Sequence, residues 1–217
     1  MSSRILTIVL LVGVALTGAL AIQSLASWRL PGNQQGYEPV QPIAYSHRLH
    51  AGELQIDCQY CHFGSTKSRH AGVPPTQVCM NCHGIVTSSW GAVREEDELA
   101  KEEQREPREM FSEEIRKIYA SMGLNDAREP DTTLSTEPVD WVKVHNLPDF
   151  VYFDHRPHVA GGVRCQTCHG PVETMERVRQ AESLSMGWCV NCHREAQRTA
   201  VAGLTETPSI DCVTCHY

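Results

Sequence analysis

At 217 residues, with a formal net charge of −7, the chain has room for one or two ordinary domains and lacks the basic balance that nucleic-acid binding favours. Aromatic side chains make up only 6% of it, with four Phe and four Trp, which excludes a large conventional core. Acidic charge suits a neutral or basic partner without naming one.

The first predicted element is residues 5–22, ILTIVLLVGVALTGALAI, eighteen residues without a charge and preceded by Arg4. That length is at the lower limit for a membrane-spanning helix. Gly13, Gly18 and the small residues around them suit close packing against other helices. The competing reading is a cleaved signal peptide, because Ala19-Leu20-Ala21 and Ser24-Leu25-Ala26 have the small-x-small form of a cleavage site. The run is longer than a usual signal core, and Trp28-Arg29 has the character of an interfacial anchor. Residues 1–29 are therefore read as a retained transmembrane anchor. Arg4 then puts the N-terminus in the cytoplasm and the body on the other side. Residues 30–44, rich in Pro and Gly, are expected to be an extended tether.

From Tyr45 onward the chain writes Cys-x-x-Cys-His five times: Cys58/Cys61/His62, Cys79/Cys82/His83, Cys165/Cys168/His169, Cys189/Cys192/His193 and Cys212/Cys215/His216. All ten cysteines are used and none is left over. A zinc ribbon would want two Cys pairs per ion without a His after each, and a disulfide framework would not need His. The pattern is the attachment signature of c-type haem. Two thiols three positions apart each add to one vinyl group of a porphyrin, and the adjoining His supplies the proximal iron nitrogen. Five covalent haem c groups are thus expected, with the body outside the cytoplasm, where such attachment is made. They would replace much of the missing core, giving a mainly irregular and α-helical, loop-rich body packed around haems.

Residues 45–90 form a two-haem module. Residues 91–140 carry no Cys and no His and read as an acidic, charged helical insert. The stretch 93–122 has helix-forming composition and a patchy apolar stripe (Leu99, Met110, Phe111, Ile115, Ile118, Tyr119), broken by Pro107. Its mixed charges suggest a solvated face, and a docking arm for another subunit is the alternative. Residues 141–217 form a three-haem module, with a short strand considered around Val151 and Phe153.

Residues 45–83 and 153–193 are two copies of one pattern. Each opens with aromatic-x-His-x-x-His, reaches a haem motif about ten residues later, and reaches a second after a loop. Removing the five proximal His leaves His47, His50, His70, His145, His155 and His158 as distal ligand candidates. Three-residue spacing points the two rings of His47/His50, and of His155/His158, at different irons. Where the first copy has His70 the second has Met175, so a His/Met haem of higher potential is expected there. If every iron has six ligands, the chemistry is outer-sphere electron transfer.

The phrases YSHRLHAG, RHAGVPPTQVCMNCH, WVKVHNLPDFVYFDHRPHV, CQTCHGPVETMERV and SMGWCVNCHRE, behind a single N-terminal anchor, resemble the pentahaem cytochrome c subunit of bacterial alternative complex III. The resemblance covers about residues 40–90 and 140–217 and leaves the insert unmatched. It implies assembly with an iron–sulfur large subunit, polytopic quinol-binding subunits and a monohaem cytochrome c. Electrons would pass from quinol through iron–sulfur centres and the five haems to a soluble carrier or terminal oxidase. The expected location is the bacterial cytoplasmic membrane, single-pass, with the haem body on the periplasmic side. The alternatives are a membrane-anchored multihaem quinol dehydrogenase, against which the tether weighs, and a multihaem reductase with an open haem site.

Overall fold

The computed structural model describes residues 3–27, 34–199 and 207–217. Among them are nine α-helices and no strand. Trp28-Arg29 and residues 30–33 of the tether lie outside the described residues. Helix α1, Ser3–Ser27, is the one described helix long and apolar enough to cross a membrane, and its side chains as far as Ser24 are exposed. Such a helix loses its large apolar surface from water only by entering a bilayer or a partner.

Each haem motif lies on a short helix: α2 (Cys58–Cys61), α3 (Thr76–His83), α7 (Cys165–His169), α8 (Met186–Thr199) and α9 (Cys212–Cys215). One turn of helix puts positions i, i+3 and i+4 on the same face, so both thiols and the imidazole address a single site. Asp57 caps α2 by accepting from the Gln59 N–H at 2.7 Å. Asp154 does the same for α6, His155–Ala160, which carries the second His-x-x-His pair. The first pair sits in a π-helical turn, Arg48–Glu53, with His47 as the residue before it.

The two copies meet reciprocally. The π turn packs against the 3-10 turn Val172–Thr174 that follows α7, and α6 packs against the 3-10 turn Phe63–Thr66 that follows α2. The Arg48 N–H donates to the Met175 carbonyl at 2.9 Å, while the His155 N–H donates to the Arg69 carbonyl at 3.2 Å. Arg69 immediately precedes His70, the residue aligned with Met175 in the repeat. Arg48 adds ion pairs to Glu53 and Glu176.

The apolar core of buried residues is small: Ile43, Ile115, Ile118 and Tyr119, flanked by Cys79, Met80, Phe111, Leu124, Val139 and Trp141. It lies between the insert and the second motif. The insert's helices are α4, Trp90–Glu102, and α5, Glu113–Ser121, on either side of Pro107. Ser89 and Ser112 cap them. Helix α5 packs on α3, and the Tyr119 hydroxyl donates to the His83 carbonyl at 2.5 Å. The insert is therefore a wall of the second site as well as a solvated face.

Glu96 on α4 is buried, where Arg105 and the Arg108 N–H (2.8 Å) hold its carboxyl down to about 2. A depressed carboxyl stabilises the fold only while ionised, so this contribution is full above its ordinary pKa of about 4 and is lost as pH falls through about 2. Hydrogen exchange in α4 should stay protected down to about pH 4 and open between pH 4 and 2. Opening at higher pH would rule out Glu96 as the latch.

Two expectations change. The strand considered at Val151 and Phe153 is a single bridge, Val151 to His216. The tether is not free from Gln34 onward. Gly36 N–H and Gln180 O, then Gln180 N–H and Tyr37 O, form a pair of backbone bonds. The Gln41 side chain brackets Val142, Ile43 enters the core, and the Ala44 N–H donates to Glu114. Its prolines keep these residues extended, and that form is what lets them lie along the body.

Candidate haem sites

Four of the five motif histidines face a second imidazole. The ring centres of His47 and His62 are 6.4 Å apart with planes 4° from parallel, and those of His155 and His169 are 6.4 Å apart at 5°. His50 and His83 are 6.1 Å apart, as are His158 and His193. Two metal–imidazole bonds of about 2.1 Å, on opposite sides of one ion, put ring centres roughly 6 Å apart. The near-identical geometry of the first and third sites reflects the reciprocal junction that builds both.

The ring nitrogens are set for this. Nδ1 donates to the Gly72 carbonyl from His62, to Val86 from His83 and to Ser209 from His193. It donates to Ser46 from His50, to Arg69 from His155 and to Asp154 from His158. Fixing the proton on Nδ1 leaves the Nε2 lone pair for a metal. Burial, with neighbouring imidazoles, lowers His47 to about 4 and His169 to about 3, and burial also lowers His158. Neutral rings are the form that binds a metal.

All ten cysteines are free thiols. Burial, with other cysteines nearby, pushes Cys168 up to about 11 and raises Cys61, Cys79 and Cys189. Five pairs of thiols, each beside its own imidazole, fit thioether attachment of five porphyrins.

Neighbouring thiols also place the motifs relative to one another. Cys61 lies near Cys79 and Cys82, joining the first and second motifs. Cys58 lies near Cys165, joining the first and third. Cys168 lies near Cys189 and Cys192, and Cys189 near Cys215.

The remaining candidates sit elsewhere. His145 stands beside His169, its Nε2 3.2 Å from the His169 Nδ1, in the place a carbonyl takes at the first, second and fourth motifs. His70 is exposed. Met175 is buried, with its methyl near Gly170 and its carbonyl committed to Arg48. His216 faces Phe150, with ring centres 5.7 Å apart and planes 27° from parallel. Sequence reasoning gave Phe150 no role, because nothing in an aromatic run distinguishes one ring from the next.

Residues 151–217 match the model of the family described as cytochrome c7 and related cytochrome c. This part of the chain is similar to that family. The chain is also 22% identical, over 196 residues, to the menaquinone reductase multihaem cytochrome c subunit of Nitratidesulfovibrio vulgaris. The alignment takes in 81% of this chain and 76% of that protein. Covalently bound haem c is the cofactor that this family implies, and electron transfer is its chemistry.

Proposed function

We propose that this cytochrome binds five haem c groups and passes electrons along them, as a subunit of a membrane complex that oxidises quinol. The four facing histidine pairs carry the reading. His47, His50, His155 and His158 are the sixth ligands of the haems at the first, second, third and fourth motifs, opposite His62, His83, His169 and His193. The thiol neighbours support a row in the order second, first, third, fourth, fifth. When bound, the haems supply one-electron redox chemistry, and the chain's residues set spacing and potential. His145 acts on the third site through His169, and Met175 is a packing residue of the junction. Because the matching partners differ between copies, the first and third sites differ in potential: His155 Nδ1 has the Arg69 carbonyl, whereas His47 Nδ1 is buried without a partner among the described residues.

Helix α1 is the single-pass anchor in a bacterial cytoplasmic membrane, with the haem body on the periplasmic side. The Nitratidesulfovibrio relative supports a quinone-linked complex. The resemblance to alternative complex III supplies the finer picture: an iron–sulfur large subunit, polytopic quinol-binding subunits, a monohaem cytochrome c, and a soluble carrier or terminal oxidase as acceptor. One observation favours a second reading, direct quinol oxidation at a haem beside the anchor. Only residues 28–33 separate α1 from the bound part of the tether, a reach of at most about 25 Å.

The relative's name puts electrons onto menaquinone, so direction is the point to test. Anaerobic mixing of the purified complex with menaquinol should reduce the haems, followed by their absorbance. Reduction only by a soluble donor, with reoxidation by menaquinone, would reverse the proposed direction. Reduction in the isolated chain, without other subunits, would favour the second reading.

A further inference from the structure

We propose that the haem at Cys212, Cys215 and His216 is five-coordinate, with Phe150 over its open face, and that it takes small neutral diatomic ligands such as carbon monoxide. This rests on the reading that the fifth motif carries a haem. Phe150 takes the side of His216 that a distal histidine takes at the other four motifs, at 5.7 Å between ring centres against 6.1–6.4 Å, so the phenyl ring must shift outward when a porphyrin lies between them. A phenyl ring in that place has no lone pair to give an iron.

Its position is held by backbone. The Tyr152 N–H donates to the Cys215 carbonyl at 2.8 Å, Val151 bridges His216, and the Tyr217 hydroxyl donates to the Asp149 carbonyl at 3.0 Å. Phe150 is therefore clamped between its neighbours on both sides.

Among the described residues the ring that faces His216 is Phe150, and the other ligand candidates are placed at other sites. Four histidines face the first four motifs, and His145 is hydrogen-bonded to His169. His70 follows Arg69, whose carbonyl holds His155 at the junction of the first and third sites. Met175 lies at the same junction, and Met80 packs in the α5 core. The Phe150 ring is 59% exposed, so it can swing aside for a ligand without opening a core. An apolar cover with no donor above the iron disfavours anions relative to neutral ligands.

The test is carbon monoxide added to the reduced, haem-loaded complex, read by difference absorbance, with electron paramagnetic resonance of the oxidised form. The expected result is one high-spin, carbon-monoxide-reactive haem in five. Phe150→His should abolish the carbon monoxide signal and convert that haem to low spin, while Phe150→Ala keeps it. A wild-type complex with all haems low-spin and unreactive overturns the proposal. So does a reactive haem that Phe150→His leaves unchanged. Either failure leaves reduction of the remaining haems by menaquinol intact, so the electron-transfer reading is judged separately.

Discussion

His158→Ala should convert one haem, that at Cys189 and Cys192, from low to high spin. It should also raise its midpoint potential by roughly 0.1 V, a fraction of the ~0.8 V that axial ligands span. The His158 ring faces His193, and its Nδ1 is bonded only within its own helix, to the Asp154 carbonyl. Its removal takes away the imidazole facing His193 while leaving the backbone bonds of the junction, His155 to Arg69 and Arg48 to Met175, in place. Met175→Leu is the counterpart. Leu nearly conserves the volume of a buried Met, at a cost under about 1.5 kcal/mol, and leaves the Met175 carbonyl for Arg48. Its spectra and potentials should match wild type. Redox titration followed by electron paramagnetic resonance reads both variants. A Met175→Leu protein with a lost or shifted haem, beside an unchanged His158→Ala, would reverse the two roles.

Gly52→Ala is expected to destabilise the protein by about 1–3 kcal/mol, the usual cost of forcing atoms into a filled space. A Cβ on Gly52 would penetrate the Glu173 carbonyl of the other copy, which is backbone and cannot move aside. The π turn would have to lift off the Val172–Thr174 turn, and with it the contact that brings the first and third motifs together. Slower electron exchange between the two halves should accompany the loss of stability. Gly187→Ala provides the contrast. It lies in α8 with open space around it, so Ala should be neutral or stabilise by up to about 1 kcal/mol. Denaturant unfolding followed by haem absorbance measures both. Equal stability for the two variants would mean that the junction is not a tight contact.

Much of this site is legible in the sequence, because the chemistry is local. Each Cys-x-x-Cys sits on one helical turn, with the His in the helix at three motifs and just past its end at His62 and His216. The repeat identifies His47, His50, His155 and His158 together, since two copies of a pattern share geometry. The insert's two helices follow from composition and the break at Pro107. What escapes is long-range. Met175 and His70 align in the repeat, yet folding puts the Met175 carbonyl at the interface between the copies and leaves His70 exposed. His145 reads as one more spare histidine, and only folding places it on the far nitrogen of His169. The tether is extended as its prolines require, but the partners that pin it at Gln180 and Val142 are more than a hundred residues away. Phe150 gives no local signal of what it covers.

The central claim is that four facing histidine pairs, joined at one reciprocal junction, order the haems into a single row. A structure of the haem-loaded protein that locates each iron tests it most directly. Irons are expected between His47 and His62, His50 and His83, His155 and His169, and His158 and His193. The first and third of these should be nearest neighbours at the middle of the row. An iron bound by Met175 or His145, or first and third haems that are not adjacent, would contradict it.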